Sequence, residues 1–309
     1  MAAIDCGTNS IRLLVAELPD PGAGASAPLV ELTRRLETVR LGQGVDRTGR
    51  LAPEAIERTR VALAEYAAEI EKLGVDRVRM CATSASRDAE NAADFRDMVE
   101  RTLGVAPEVV TGEEEARLSF TGAVRGLPDS TREPYLVVDI GGGSTEFVVG
   151  TSSRGVTAAI SVDIGCVRMT ERHLQGDPPD PAEIRAAEAD IVAAVDRALD
   201  AVPGREAATL IGLAGSVTTV VAIAEGLTGY DPRRIHHARV SDRAVAGVTA
   251  DLLVATRAQR LAIPVMHPGR ADVIAAGALV LRVIMERSGK DFVVASEHDI
   301  LDGIAYSLR

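Results

Sequence analysis

Asp5-Cys6-Gly7-Thr8-Asn9-Ser10-Ile11-Arg12-Leu13-Leu14-Val15-Ala16 and Asp139-Ile140-Gly141-Gly142-Gly143-Ser144-Thr145-Glu146-Phe147-Val148-Val149-Gly150 are two copies of one pattern. Each places an Asp at the end of an apolar run, a Gly two residues on and a Ser five residues on. Each then runs at once into a second apolar stretch, which reads as strand, tight turn, strand. Successive backbone N–H groups in such a turn form an anion nest, and Ser and Thr hydroxyls add donors. Three consecutive glycines cost backbone entropy and pack nothing, so they make sense where a ligand approaches the main chain. Two such turns predict two related halves with a phosphate site and a place for a metal between them.

The length agrees with that division, because 309 residues exceed the usual size of a single core. The content, 46% hydrophobic and 26% charged, is that of an ordinary soluble globular protein. Trp is absent and aromatics make up 3%, so the core must be built from Ala, Val, Leu and Ile. Lys72 and Lys290 are the only lysines, and no Gly-rich loop ends in Gly-Lys-Ser/Thr, which excludes a Walker-type nucleotide site. A net charge of −11 argues against a nucleic-acid coat, although arginines gathered at one site could still hold a polyanion. Cys6, Cys81 and Cys166 lack metal-ligand spacing and read as small buried hydrophobes in a reducing compartment. The five histidines show no zinc spacing. With no signal peptide ahead of a first strand starting at about residue 2, and no membrane-spanning stretch, the expected location is the cytoplasm.

Strands and helices alternate along the chain, which predicts α/β layers with mixed sheets. In the first half the expected strands are Ala2–Cys6, Ile11–Leu18, Leu29–Val39, Val75–Ala82 and Val109–Val110, with Pro19–Pro28 a turn-rich tip and 42–49 a loop. The expected helices are Pro53–Leu73, Asn91–Leu103 and Glu113–Arg125. Gly126–Glu133 carries Pro128 and is the best domain boundary. The second half restarts with strands at Tyr135–Asp139, Thr145–Gly150, Val156–Ile164, Ala207–Leu213 and Phe292–Ala295. Helices are expected from Asp180 (a cap with Pro181 and Glu183) to about Val202, after Ala214-Gly215-Ser216, over Ser241–Ala258 and Ala271–Arg287, and near Ile300–Leu308.

Several residues could carry chemistry. Arg12 lies two residues beyond the first turn and could bond phosphate oxygens. Asp139 and Glu146 flank the second turn as natural Mg²⁺ ligands, direct or through water, and Asp5 is the matching position in the first copy. Thr83, Ser84, Ser86 and Arg87 lie where a strand gives way to a helix, where amides and hydroxyls face anions. Glu113, Glu114 and Glu115 suit the first turn of a helix through its dipole, yet one of them could deprotonate a water. Sequence alone does not choose among the three. Arg270, at the helix start Pro268-Gly269-Arg270, could reach an anion or simply cap the helix.

Taken together, these segments resemble the exopolyphosphatase / guanosine pentaphosphate phosphohydrolase family. The resemblance rests on Ala3 to Leu13, Ala82 to Arg87, Glu114-Glu115-Ala116-Arg117, Asp139 to Glu146, Arg270 to Ile274 and Ser296 to Leu301, spread from end to end in the family's order. It implies two actin-like (ribonuclease H-like) domains of the acetate/sugar kinase, heat-shock and actin superfamily, at 1–126 and 127–309, with an interdomain cleft. The last helix, after about His298, is expected to pack back on the first domain. It implies release of terminal orthophosphate from inorganic polyphosphate, aided by Mg²⁺ or Mn²⁺, by a homodimer. By motif position the base falls on Glu115. Phosphate contacts fall on Gly7, Thr8, Asn9, Ser10, Arg12, Gly142, Gly143, Ser144 and Thr145, with Ser84, Arg87 and Arg270 added as candidates from the residues themselves, and metal carboxylates fall on Asp139 and Glu146. Long members carry extra C-terminal domains absent before Arg309, which favours short-chain polyphosphate. The alternatives are guanosine pentaphosphate hydrolysis, a guanosine tetraphosphate-binding regulator with weak turnover, and an ATP-dependent small-molecule kinase.

Overall fold

The computed structural model describes residues 1–17 and 29–308; the tip expected at Pro19–Pro28 lies outside the described residues. The described residues form two compact units, one of Met1–Gly126 joined by the segment from Asp299 on, the other of Leu127–His298. The first unit begins with β1 (Ala2–Cys6), β2 (Ser10–Glu17), β3 (Val30–Thr38), α1 (Val45–Thr48), α2 (Pro53–Lys72), β4 (Val78–Ala82), α3 (Ser84–Asp88), α4 (Ala92–Leu103), β5 (Glu108–Val109) and α5 (Gly112–Val124). The second holds β6 (Tyr135–Ile140), β7 (Thr145–Thr151), β8 (Gly155–Val162), α6 (Cys166–His173), α7 (Pro181–Ala201), β9 (Thr209–Leu213), α8 (Ala214–Ala224), α9 (Pro232–Ile235), β10 (Arg239–Ser241), α10 (Asp242–Val254), α11 (Arg257–Leu261), α12 (Ile274–Ser288) and β11 (Phe292–Ala295). The chain then returns to the first unit as α13 (Ile300–Tyr306).

The two sheets have one topology. The first runs β3-β2-β1-β4-β5; the second runs β8-β7-β6-β9-β11 with β10 added at the edge. In each, the opening strand pairs antiparallel with the second and parallel with the fourth. This is the mixed α/β arrangement expected from the alternation of strands and helices, in two related halves as the repeated hairpins predict. The central strands β1 and β6 are buried along their whole length, as strands covered on both faces must be, and their Val, Ile, Leu and Ala content follows from that.

Local signals account for most elements. Pro53 at the first position of α2 is already set for a helix, and Leu63, Tyr66 and Ile70 bury one stripe. The Tyr66 hydroxyl donates to the Ile11 carbonyl at 3.0 Å, tying that helix to β2. Asp180 and Glu183 form the expected capping box of α7. The single helix expected over Ser241–Ala258 is two, because the chain turns extended at Ala255 and Thr256 caps α11 through its own box with Gln259. The stretch 42–49 contains the one-turn α1. Among the described residues no helix is long and apolar enough to cross a membrane.

Helix α13 crosses α5 at backbone contact. A Cβ on Gly303 would overlap the Leu118 carbonyl, and one on Gly122 would overlap the Asp299 carbonyl. Leu118, Ile300, Leu301 and Ile304 then join Ala3 and Leu14 in one buried cluster. Gly303→Ala, which forces backbone apart, is expected to lower stability in urea unfolding by about 1–3 kcal/mol. Gly247→Ala, in α10 with no atom near its missing Cβ, should raise stability by about 0.5–1 kcal/mol.

Candidate functional site

Both hairpins close in the same way. The Gly7 N–H donates to the Ser10 carbonyl at 2.9 Å, and the Gly141 N–H to the Ser144 carbonyl at 3.0 Å. Strand register sets Asp5 opposite Arg12 and Asp139 opposite Glu146, so each pair shares a sheet face. The copies differ in sign there: the first pair is an ion pair, the second two carboxylates.

Arg12 is placed otherwise than the expected phosphate contact. Its Nε and Nη2 donate to Asp5 Oδ2 at 3.0 and 2.7 Å, and its Nη1 donates to Asp299. Both carboxylates are buried, so they desolvate and engage this guanidinium within the first unit. Burial pushes the Asp5 carboxyl up against the pull of Arg12. At Asp299 burial pushes the same way, but the charge and hydrogen bond of Arg12, aided by the Leu301 N–H and Arg34, hold the carboxyl below its ordinary value. Asp5 Oδ1 is buried and accepts no hydrogen bond among the described residues.

The other first-unit residues gather around the Gly7–Ser10 turn and the start of α5. Thr8 Oγ1 and Ser84 Oγ lie 2.9 Å apart, and the Asn9 carbonyl accepts from the amides of Val39 and Arg40. Three glutamates open α5, and burial separates them. Side chains of Glu113 and Glu114 are 68% and 43% exposed and pair with Arg117 and Arg79, whereas Glu115 is 10% exposed. Arg87 Nη1 donates to Glu115 Oε2 at 3.1 Å and to the Val110 carbonyl at 2.9 Å. Arg87 thus ties the Glu115 carboxylate to the Val110 carbonyl through one guanidinium nitrogen.

In the second unit the glycine turn is held by α6. The Cys166 N–H donates to the Gly141 carbonyl at 2.9 Å, and those of Val167 and Arg168 to the Gly142 carbonyl at 2.9 and 3.1 Å. The Gly165 N–H and Arg168 Nε take the Gly143 carbonyl at 3.2 and 2.7 Å. A peptide's N–H points opposite to its C=O, so the amides of Gly142 and Gly143 face away from α6; neither donates to any described residue. The Thr145 hydroxyl donates to the Ile164 carbonyl at 2.8 Å and the Ser144 hydroxyl to Glu146 Oε1 at 2.7 Å, so these two side chains brace the hairpin instead of pointing to a ligand. Ser161 Oγ gives Glu146 Oε1 a second hydrogen bond at 2.7 Å. Arg270 Nη1 donates to Thr219 Oγ1 at 3.1 Å, and its guanidinium lies where a Cβ on Gly215 would be.

Gly165 and Arg168 carried no expectation from sequence, and Ala214-Gly215 was expected only to precede a helix. Gly165 opens α6 with no side-chain cap, so the usual helix-start signal is missing. A Cβ on Gly165 would overlap the backbone of Gly142. Ala214 takes φ 65°, a left-handed conformation that costs a non-glycine residue energy and marks sites where the chain is constrained. A glycine two or three residues after a strand was the available signal in both places.

Among the described residues no three His, Cys, Asp or Glu side chains are grouped to hold a metal. That excludes an all-protein cage. Asp139 and Glu146, both buried and opposite each other on one face of the second sheet, are the carboxylates that would fit a divalent ion.

A glycine turn whose amides face away from α6, beside the buried carboxylates of Asp139 and Glu146, fits a phosphate-handling protein of mixed α/β fold. The chain belongs to the Ppx/GppA phosphatase family, whose model matches residues 22–309. It is 51% identical over 318 aligned residues to Exopolyphosphatase 2 of Mycobacterium tuberculosis, covering 100% of this chain and 98% of that one. It superposes with a TM-score of 0.93 on the crystal structure of an exopolyphosphatase-like protein, 45% identical, covering 99% of this chain and 98% of the other. The Aquifex aeolicus PPX-GPPA enzyme matches with a TM-score of 0.80 at 31% identity over 99% of this chain and 98% of its own.

Arg12→Met strips two buried carboxylates of their counter-ion and should destabilise the protein by about 3–5 kcal/mol in urea unfolding. Asp299, with its lowered pKa, contributes stability that is present above the ordinary carboxylate range and lost as pH falls through its folded value. Asp299→Asn should therefore flatten the loss of stability between about pH 5 and pH 2.

Proposed function

We propose that this protein is an exopolyphosphatase that removes terminal orthophosphate from inorganic polyphosphate. The observation that carries the reading is Glu115, the one buried member of three consecutive glutamates, held by Arg87 at the head of α5. Charge pairing explains the other two, whereas a desolvated, oriented carboxylate is what general-base catalysis needs. The relative at 51% identity is named for polyphosphate, which favours this substrate over guanosine pentaphosphate.

In this reading the amides of Gly142 and Gly143, and those of the Gly7–Ser10 turn, bind phosphate oxygens as nests. Thr8 and Ser84 hold the first turn in shape through their shared hydrogen bond. Glu115 accepts a proton from water while the water oxygen attacks the terminal phosphorus. The bond from that phosphorus to the bridging oxygen breaks, and orthophosphate and a chain one unit shorter leave. Arg87 keeps the carboxylate aimed, and Arg270 adds positive charge beside Gly215. Asp139 and Glu146 are the residues that would hold Mg²⁺, or Mn²⁺ in its place. When bound, the ion would neutralise phosphate oxygens. The setting is the cytoplasm, with the protein a homodimer.

Glu115→Gln should cut metal-dependent phosphate release from polyphosphate by about 10²–10⁴-fold with the circular dichroism unchanged, while Glu114→Gln stays close to wild type. Wild-type protein inactive on every chain length would overturn the substrate. Equal activity of Glu115→Gln and wild type would overturn the base.

A further inference from the structure

A concave site lies in the Leu127–His298 unit. It is a cavity of about 480 Å³ lined by Arg132, His237, Arg239, Lys290, Asp291 and Phe292 among others. That volume falls in the range of small-ligand pockets. Thr209 and Phe292, the first residues of β9 and β11, are part of its wall, and so is Arg132 just ahead of β6. The three strands run parallel, and the glycine turn follows the far end of β6. A six-residue strand spans about 20 Å, so the cavity is separate from the turn.

The lining is cationic in a chain whose net charge is −11. Arg132 and Arg239 form no ion pair among the described residues. The Lys290 ammonium, one of two in the sequence, donates to the carbonyls of Arg205 and Ala207 at 2.9 and 2.6 Å and meets no carboxylate. Asp291 is the one acidic residue in the lining. The Arg239 guanidinium lies 3.8 Å from the centre of the Phe292 ring, which is 40% exposed. His237 adopts φ 64°, strained for a non-glycine residue, and its buried Nε2 has no hydrogen-bond partner among the described residues. The strained backbone at His237 marks a constrained point in the wall.

We propose that this cavity binds a phosphorylated compound with a planar ring, a nucleotide. Its phosphates meet Arg132, Arg239 and Lys290, and its ring stacks on the Phe292–Arg239 platform. The site is independent of the phosphate turns and of the polyphosphatase reading.

The test is fluorescence anisotropy of a ring-labelled adenosine diphosphate on the full chain, with pyrophosphate and polyphosphate as competitors. Saturable binding is expected that excess polyphosphate does not displace and pyrophosphate displaces weakly. Arg132→Ala with Arg239→Ala should weaken it about tenfold or more, and Phe292→Leu about threefold. Phosphate release from polyphosphate should be unchanged in these variants. Arg132→Glu, on an exposed residue, serves as a second variant should the double variant unfold. No saturable binding, or binding that polyphosphate displaces, overturns the site. Equal displacement by pyrophosphate together with indifference to Phe292→Leu overturns the nucleotide.

Discussion

One guanidinium organises the first unit. Arg12 on β2 holds Asp5 on β1 and Asp299, which lies 287 positions away along the chain. Burying three charges costs several kcal/mol for each unless they meet one another in good geometry. Here they do, and the charge requirement selects one docking for the end of the chain. Asp299 is also the cap of α13, accepting the Leu301 N–H at 3.0 Å, and Asp302 returns a bond to the Asp299 N–H at 3.1 Å. Asp302 in turn accepts from Arg34 of β3 at 2.7 Å. The cap, the ion cluster and the close crossing of Gly122 and Gly303 all specify the same placement. The apolar face of α13 follows, covering Ala3 and Leu14.

The two units show one scaffold turned to different chemistry by single positions. Opposite the strand-end aspartate stands Arg12 in one copy and Glu146 in the other. The first choice makes a closed ion cluster. The second leaves an acidic face whose glutamate is held by two serine hydroxyls. The turns themselves stay alike. In each, the carbonyls are occupied by a neighbouring segment: Val39 to Gly42 serve the first turn, and the start of α6 serves the second. Occupied carbonyls leave the amides to face the other way, which is what makes a turn an anion site.

The hairpins, their aspartates and the alternation of strands and helices were legible because each depends on local pattern: apolar runs, glycines and caps a few residues apart. Helix α6 was not, because Gly165 starts it with no capping side chain and its amides go to a turn some two dozen positions earlier. The break at Thr256 was missed because no Gly or Pro marks it; the chain turns there at a capping threonine. Within the site, spacing identified Glu113 to Glu115 as a group and left the choice among them open. Thr145 and Ser144 read as ligand hydroxyls, yet the hairpin uses both of them for its own bracing.

The sequence by itself determined the duplicated hairpin, the mixed α/β class and the residues from which a phosphate site could be built. These follow from backbone conformational preference and short-range periodicity, which act within a few residues. Only the tertiary structure decided that Glu115 is the buried glutamate, that Arg87 orients it, and that Arg12 serves Asp5 and Asp299. Those outcomes depend on which side chains lose water and which distant charges they meet. Desolvation and Coulomb energy are set by three-dimensional distance, for which position along the chain is no substitute.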